Sequence, residues 1–253
     1  MRQLYIQALK DITAAFRALE QQVPPPRVVP WKDSFVFRHV EKTVEQALVQ
    51  KLARVVSGLR AIDVLLIHGC VQEQGVINRT LDEICEDIYF LAAAITNDSV
   101  TPIHEQYLEA FFAEEFDNPE SPVDSTQKRD YPPRKKIRAY TTRVLGEGLN
   151  PSITLANSET IAKTFSGFVH AASPQIMDMC GGEPPRFHVL GMNGTPRIAE
   201  HVEDAWNYFY RGILAAAVVA KALGDAEVLK TMQEAASKLE ASPLANIKRT
   251  TSA

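Results

Sequence analysis

Apolar residues recur three and four apart through most of this chain, and no other feature limits its fold as strongly. Over residues 195–223, Ile198, Val202, Ala205, Phe209, Ala216, Ala220 and Leu223 hold a single stripe. That spacing puts them on one face of an α-helix. Leu4, Ala8, Ile12, Ala15 and Leu19 do the same over residues 2–21. Val44, Leu48, Leu52, Val55, Leu59, Ile62, Leu66 and Ile67 extend the pattern over residues 37–69. Leu81, Ile84, Cys85, Ile88, Leu91 and Ile95 form a further stripe. That helix is expected to begin near Gly75 and to end at Asn97-Asp98-Ser99. Apolar stripes on nearly every helix require mutual burial. The sequence therefore predicts an all-α fold: a bundle of long antiparallel helices with shorter ones packed around it. The 195–223 helix is expected to be central, with Ala215, Ala216, Ala217 and Ala220 letting neighbours approach closely.

Proline and glycine punctuate the rest. Val23-Pro-Pro-Pro26 ends the first helix, because proline lacks the N–H and clashes with the preceding turn. Pro30 closes that linker. Pro102 suits the first turn of a helix through Tyr107, Leu108, Phe111 and Phe112. Residues 117–134 are proline-rich and polar, and read as a mobile surface loop. A basic helix is expected over 133–145, then a connector at Gly146, Gly148, Asn150 and Pro151. Ser158 reads as the cap of a helix reaching residue 172, with Glu159 favourable in its first turn. Pro174 restarts a short helix, which Gly181-Gly182 and Pro184-Pro185 break. Phe187-His-Val-Leu190 is the one segment that reads as a strand, and no partner for it is evident. A last helix is expected over 226–241. We expect one helical domain over residues 1–245 and a disordered tail over 246–253.

Composition excludes some functions. The 253 residues carry a net charge of −4, which argues against a nucleic-acid or membrane surface across the whole molecule. Cys70, Cys85 and Cys180 are too widely spaced for a zinc knuckle, and suit a reducing cytoplasm. No His-x-x-x-His or Glu-x-x-His element is present, so neither metal nor cofactor is indicated. The most apolar stretch, residues 213–220, runs into Lys221 and falls far short of the roughly 20 residues of a membrane span.

Three constellations carry possible chemistry. Arg79-Thr-Leu-Asp-Glu83 sets an arginine and a glutamate four apart on one helix face. Such a pair can hold a guanidinium ready for an anion, tie the helix to a neighbour, or be an ordinary solvated ion pair. His170 falls off the apolar face made by Ile161, Phe165, Phe168, Val169 and Ala172. An exposed or groove-lining imidazole can serve as general acid or base, while many such histidines are plain surface residues. Segment 128–143 holds seven basic residues with Tyr131 and Tyr140 between them. Lys135, Lys136 and Arg138 could track a phosphate backbone. Glu105, Glu109, Glu114, Glu115 and Asp117, just before them, offer an internal counter-charge, and that neutralisation is the expectation.

The Arg79-x-x-x-Glu83 helix, followed by Phe165-Ser-Gly-Phe-Val-His-Ala-Ala172, resembles a large group of bacterial helical proteins distantly related to HEPN-type helical bundles. The resemblance spans roughly residues 40–180. It implies a helical bundle and, in active members, RNA cleavage by an arginine and a histidine a few residues apart, usually across a dimer. This chain departs from that spacing. Residues 164–169 contain no arginine, and Arg197-Ile-Ala-Glu-His201 is too short. Arg79 would have to supply the cation from another helix.

Two functions are therefore expected. The first is a helical-bundle protein acting by binding or homo-oligomerisation, as a homodimer. The alternative is a phosphodiester-cleaving or nucleotide-binding enzyme using Arg79, Glu83 and His170, with RNA or a nucleotide as partner.

Overall fold

The longest apolar stripe becomes the centre of the molecule. In the computed structural model, which describes residues 2–145 and 151–242, helix α8 spans Ile198–Leu223. It packs against α1 (Arg2–Glu20), α2 (Val44–His68), α3 (Val71–Thr96) and α9 (Ala226–Glu240). Ala205, Phe209, Ile213, Ala216 and Ala220 on α8 are fully buried. So are Ile12 and Leu19 on α1 and Leu48, Leu52, Val55, Leu59 and Ile62 on α2. Each large aliphatic side chain so removed from water contributes about 1.5–3 kcal/mol. Tyr5 stacks on Phe209 at 4.7 Å between centroids and donates its hydroxyl to the Val202 carbonyl at 2.7 Å, tying α1 to α8.

The helix ends follow from local chemistry. Thr43 caps α2 by accepting from the Gln46 amide, and the Gln46 side chain returns to the Thr43 N–H. Gly69 ends α2 in the left-handed region at φ 68°, where a Cβ would meet the Asn193 amide at 2.6 Å. That two-residue turn folds α3 back along α2. Gly224 and Asp225 make the same reversal between α8 and α9, with Asp225 accepting from the Val228 amide at 2.9 Å. Further helices flank these: α4 (Pro102–Phe112), α5 (Arg134–Leu145), α6 (Pro151–Val169) and α7 (Ser173–Met177). The all-α bundle is the architecture that the periodicity predicts.

Several boundaries differ from expectation. Residues 27–38, expected as linker and helix start, form a hairpin of β1 (Arg27–Trp31) and β2 (Ser34–Arg38). Its turn, Lys32-Asp33, contains no glycine, and Pro30 sits inside β1, so the usual hairpin signals are missing. Helix α2 consequently starts at Val44. Helix α3 starts at Val71, and Gly75 lies within it. Helix α6 runs from Pro151, which leaves Ser158 inside the helix and not at its cap. Phe187 does enter a strand, β4 (Arg186–Phe187), but it has a partner, β3 (Cys180–Gly181). The 117–134 loop contains a 3-10 turn at Pro122–Asp124 and closes on Asp117, which accepts from Ser125 and Thr126. The Gly146–Asn150 part of the connector and the 246–253 tail lie outside the described residues. No described helix is long and apolar enough to cross a membrane.

Candidate functional site

Helix α3 carries carboxylates on both sides of its buried face, and Asp82, Glu86 and Asp87 each meet a cation from a neighbouring helix. Asp87 is almost fully buried. It takes Lys51 of α2 at 2.8 Å and a close bidentate contact from Arg134 of α5. Glu86 pairs with Arg138 of α5 at 2.9 Å. Asp82 pairs with Arg211 of α8 at 2.5 Å and accepts the Tyr208 hydroxyl at 3.0 Å. Burial pushes the Asp82 carboxyl up to about 6, against the pull of Arg211 and Tyr208. Burial likewise lowers the Lys51 ammonium, with Asp87 opposing.

Arg79 and Glu83 do meet, at 2.6 Å along one face of α3. Glu83 also lies 3.9 Å from Arg134. The second nitrogen of the Arg79 guanidinium, Nη1, is buried without a partner. Glu83, Lys51, Asp87, Tyr107, Tyr131 and Arg134 border a cleft of ≈ 360 Å³ between α2, α3, α4 and α5. Lys51 there also sits 5.3 Å above the Tyr107 ring and 4.8 Å above Phe111.

His170 lies just past the end of α6 and is exposed. Its backbone N–H donates to the Ser166 carbonyl, and no hydrogen bond or ion pair joins its ring to Arg79 or Glu83. Gly167 beside it is covered by Gln175, whose side chain lies where a Cβ would project. In the basic segment, Lys135 and Lys136 face solvent, whereas Arg138 is half-buried on Glu86. Arg134 and Arg138 are neutralised within the fold, but by Asp87, Glu83 and Glu86 of α3 and not by the acidic block at 105–117 that was expected to do so. Glu114 of that block pairs with Arg38 at 2.6 Å.

A second cleft, of ≈ 470 Å³, opens on the other side of α3, between α6, α7 and α8. Its walls are Phe165 and Phe168 of α6, Gln175 and Asp178, and a face of α8 with Glu200, His201, Asp204, Asn207, Tyr208 and Arg211. Phe168 can press this close because Gly75 of α3 lies beneath it. A Cβ there would meet the ring at 2.4 Å. His201, Phe168, Phe165 and Tyr208 follow one another ring to ring, at 6.3, 6.0 and 5.7 Å.

Beneath this cleft runs a polar seam. Gln74, Asn78 and Asp82 succeed one another at helical spacing on the face of α3 that meets α8, and all three are buried. Gln74 donates to the His201 carbonyl at 2.8 Å. The Gln74 Oε1, both amide atoms of Asn78 and the Nδ1 of His201 have no partner. Burial lowers the His201 imidazole, so it is neutral near pH 7, although Asp204, Asp178 and Glu200 pull the other way. Buried polar atoms without a protein partner are few in native proteins, and a structural water is their ordinary partner.

In the sequence His201, next to Glu200 and four residues after Arg197, reads as surface pairing. Arg197 does bond Glu200 at 3.1 Å, but His201 itself is 6% exposed. The signal in the sequence was the polar run Gln74, Asn78, Asp82 on a helix whose other faces are apolar. Compared with known proteins, the chain matches no family model, no curated protein and no solved structure. Among the described residues, no group of histidine, cysteine and carboxylate side chains is spaced to hold a metal ion.

Proposed function

We propose that this protein acts by binding, and that its ligand site is the cleft between α6, α7 and α8. The observation that carries the reading is a cleft of small-molecule size walled by the rings of Phe165, Phe168, Tyr208 and His201. Asn78 and the His201 Nδ1 are sealed beneath, which is the usual setting for a structural water, while the rest of the His201 ring forms part of the open wall. A fragment set of cationic, neutral and anionic aromatic compounds, screened by ligand-observed NMR on the full chain, tests this. The expected result is a set of hits that compete with one another and lose binding in His201→Leu and in Phe168→Ala. Hits indifferent to both substitutions contradict the reading. Self-association as a homodimer fits the same reading, and the three free cysteines fit a cytoplasmic setting.

A second reading is favoured by the unpartnered Nη1 of Arg79. There the HEPN-like chemistry holds: Arg79 stabilises phosphate charge, Glu83 orients it, and His170 moves the proton on RNA or a nucleotide. It requires His170 to approach Arg79 from its exposed turn. RNA hydrolysis by the purified protein, abolished in Arg79→Ala and His170→Ala, supports it. Inactivity, or variants that behave like wild type, counts against it. Exposed Lys135 and Lys136 would assist such a partner, in which case neutralising them lowers RNA affinity and its salt dependence.

A further inference from the structure

We propose that the free edge of β2 is a docking strand for a second copy of this chain, the two β2 strands joining antiparallel about a two-fold axis into a four-stranded sheet. This surface shares no residue with the α6–α8 cleft. Its geometry turns on Pro30. Pro30 lies opposite Phe35 in the ladder, and proline has no N–H to give across it. The Pro30–Phe35 pair is therefore of the kind that exchanges no hydrogen bonds, and so is Val28–Phe37, two residues along. In such pairs the backbone groups point away from each other, towards the outer edges of the ribbon. The N–H and C=O groups of Phe35 and Phe37 consequently face outward on β2. Among the described residues only the Arg38 guanidinium takes one of these four groups, the Phe37 carbonyl at 2.9 Å, and that oxygen keeps a second lone pair.

Three features select a second copy as the occupant. First, two strands alone are marginal in water, and this ribbon holds Val28, Phe35 and Phe37 more than half exposed. Joining two ribbons supplies four strands and gathers the phenylalanines of both on one face. Second, the edge is self-complementary. With Val36 on the two-fold axis, Phe35 of each copy falls opposite Phe37 of the other, so outward groups meet outward groups. Aromatic pairs across antiparallel strands are among the stabilising ones. The same register sets Arg38 against Ser34 of the second copy, and within β2 no charge opposes a like charge. Third, growth stops at two copies. The outer edge of β1 lacks a donor at Pro30, so a further strand finds no full ladder there.

Hydrogen exchange followed by NMR on the full chain at millimolar concentration reads the edge directly. The Val36 amide belongs to the inner ladder and is protected in any case. We expect the Phe35 and Phe37 amides to exchange as slowly as that of Val36, whereas in a lone ribbon they exchange at the rate of free peptide. Phe37→Pro removes one outward donor and leaves the β1–β2 ladder its bonds. It is expected to give a monomer by light scattering at an unchanged melting temperature. Crosslinking reads the register. On the two-fold axis the Cα atoms of Val36 and its copy come within about 4.5 Å, so Val36→Cys is expected to join two chains under mild oxidation, beyond what wild type shows. Ser34→Cys, which faces Arg38, is expected to stay uncrosslinked. A dimer whose Phe35 and Phe37 amides exchange freely overturns the edge pairing, as does a monomer at millimolar concentration. Crosslinking through Ser34→Cys and not through Val36→Cys overturns the register.

Discussion

Asp87 holds two cations from two different helices, whereas Arg79 holds one carboxylate on its own helix. The Lys51 side chain is 11% exposed and that of Asp87 3%, so both sit in low dielectric. Removing Asp87 leaves Lys51 without its ion-pair partner and takes one from Arg134. Asp87→Ala is therefore expected to cost about 3–5 kcal/mol in urea unfolding. The Arg79–Glu83 pair lies nearer solvent, and Arg79→Ala is expected to cost no more than about 1 kcal/mol. The reverse order would show that Arg79, not Asp87, anchors α3. His104 gives a pH dependence of known sign. It is buried, stacked at 4.1 Å on Phe90, and its Nδ1 accepts from the Thr101 amide in the capping box of α4. Burial lowers its imidazole, so the unfolded chain takes up the proton first. The stability it contributes is present above its ordinary value of about 6.5 and is lost as pH falls through the lowered one. Glutamine at that position keeps the box without titrating. Melting temperatures of His104→Gln are expected to fall less than those of wild type between pH 7 and pH 5. Parallel slopes would contradict the assignment.

At the scale of elements, the contact of α3 with α6 depends on Gly75. Alanine ordinarily gains about 1 kcal/mol over glycine inside a helix. Here its Cβ would lie 2.4 Å from Phe168, and overpacking of this kind costs about 1–3 kcal/mol. Gly75→Ala is expected to destabilise the protein in chemical unfolding, and Phe168→Leu on that background to restore part of the loss. A stabilised Gly75→Ala would mean that α6 does not press on α3. The same glycine shows what the sequence hid. Periodicity revealed α1, α2, α8 and α9 because each buries one continuous apolar stripe. Gly75 reads as a start signal because its role depends on the ring of Phe168, 93 residues away. The β1–β2 hairpin was missed for a different reason: Val28, Phe35 and Phe37 are strand-prone, but Pro30 and a glycine-free turn masked them. The carboxylates of α3 were legible as a polar face, but their cations come from α2, α5 and α8, and sequence spacing cannot assign them.

For the whole molecule, two surfaces remain to be accounted for. The hairpin register places Val28 opposite Phe37 and Pro30 opposite Phe35, so all four share one face. Val28, Phe35 and Phe37 are each more than half exposed. Pro30 removes a donor from β1, whereas β2 has no proline to blunt it. Association through this face is expected to stop at a two-fold dimer. Light scattering is expected to give a dimer for wild type and a monomer for Phe35→Ser with Phe37→Ser, at unchanged melting temperature. A wild-type monomer at every concentration would contradict it. The other surface is the α6–α8 cleft, where helices remote in sequence bring His201, Phe168 and Asp204 together. Its chemistry was invisible in the sequence because His201 is adjacent to Glu200, and adjacency reads as surface pairing. The central claim is that this cleft is the binding site. The most direct measurement is a map of chemical-shift changes as the aromatic fragments of that screen are added to isotope-labelled protein. The account predicts changes centred on Phe165, Phe168, His201 and Tyr208, with Lys51, Arg79 and Asp87 unmoved. Changes centred on Arg79 and Lys51, or none at all, would contradict it.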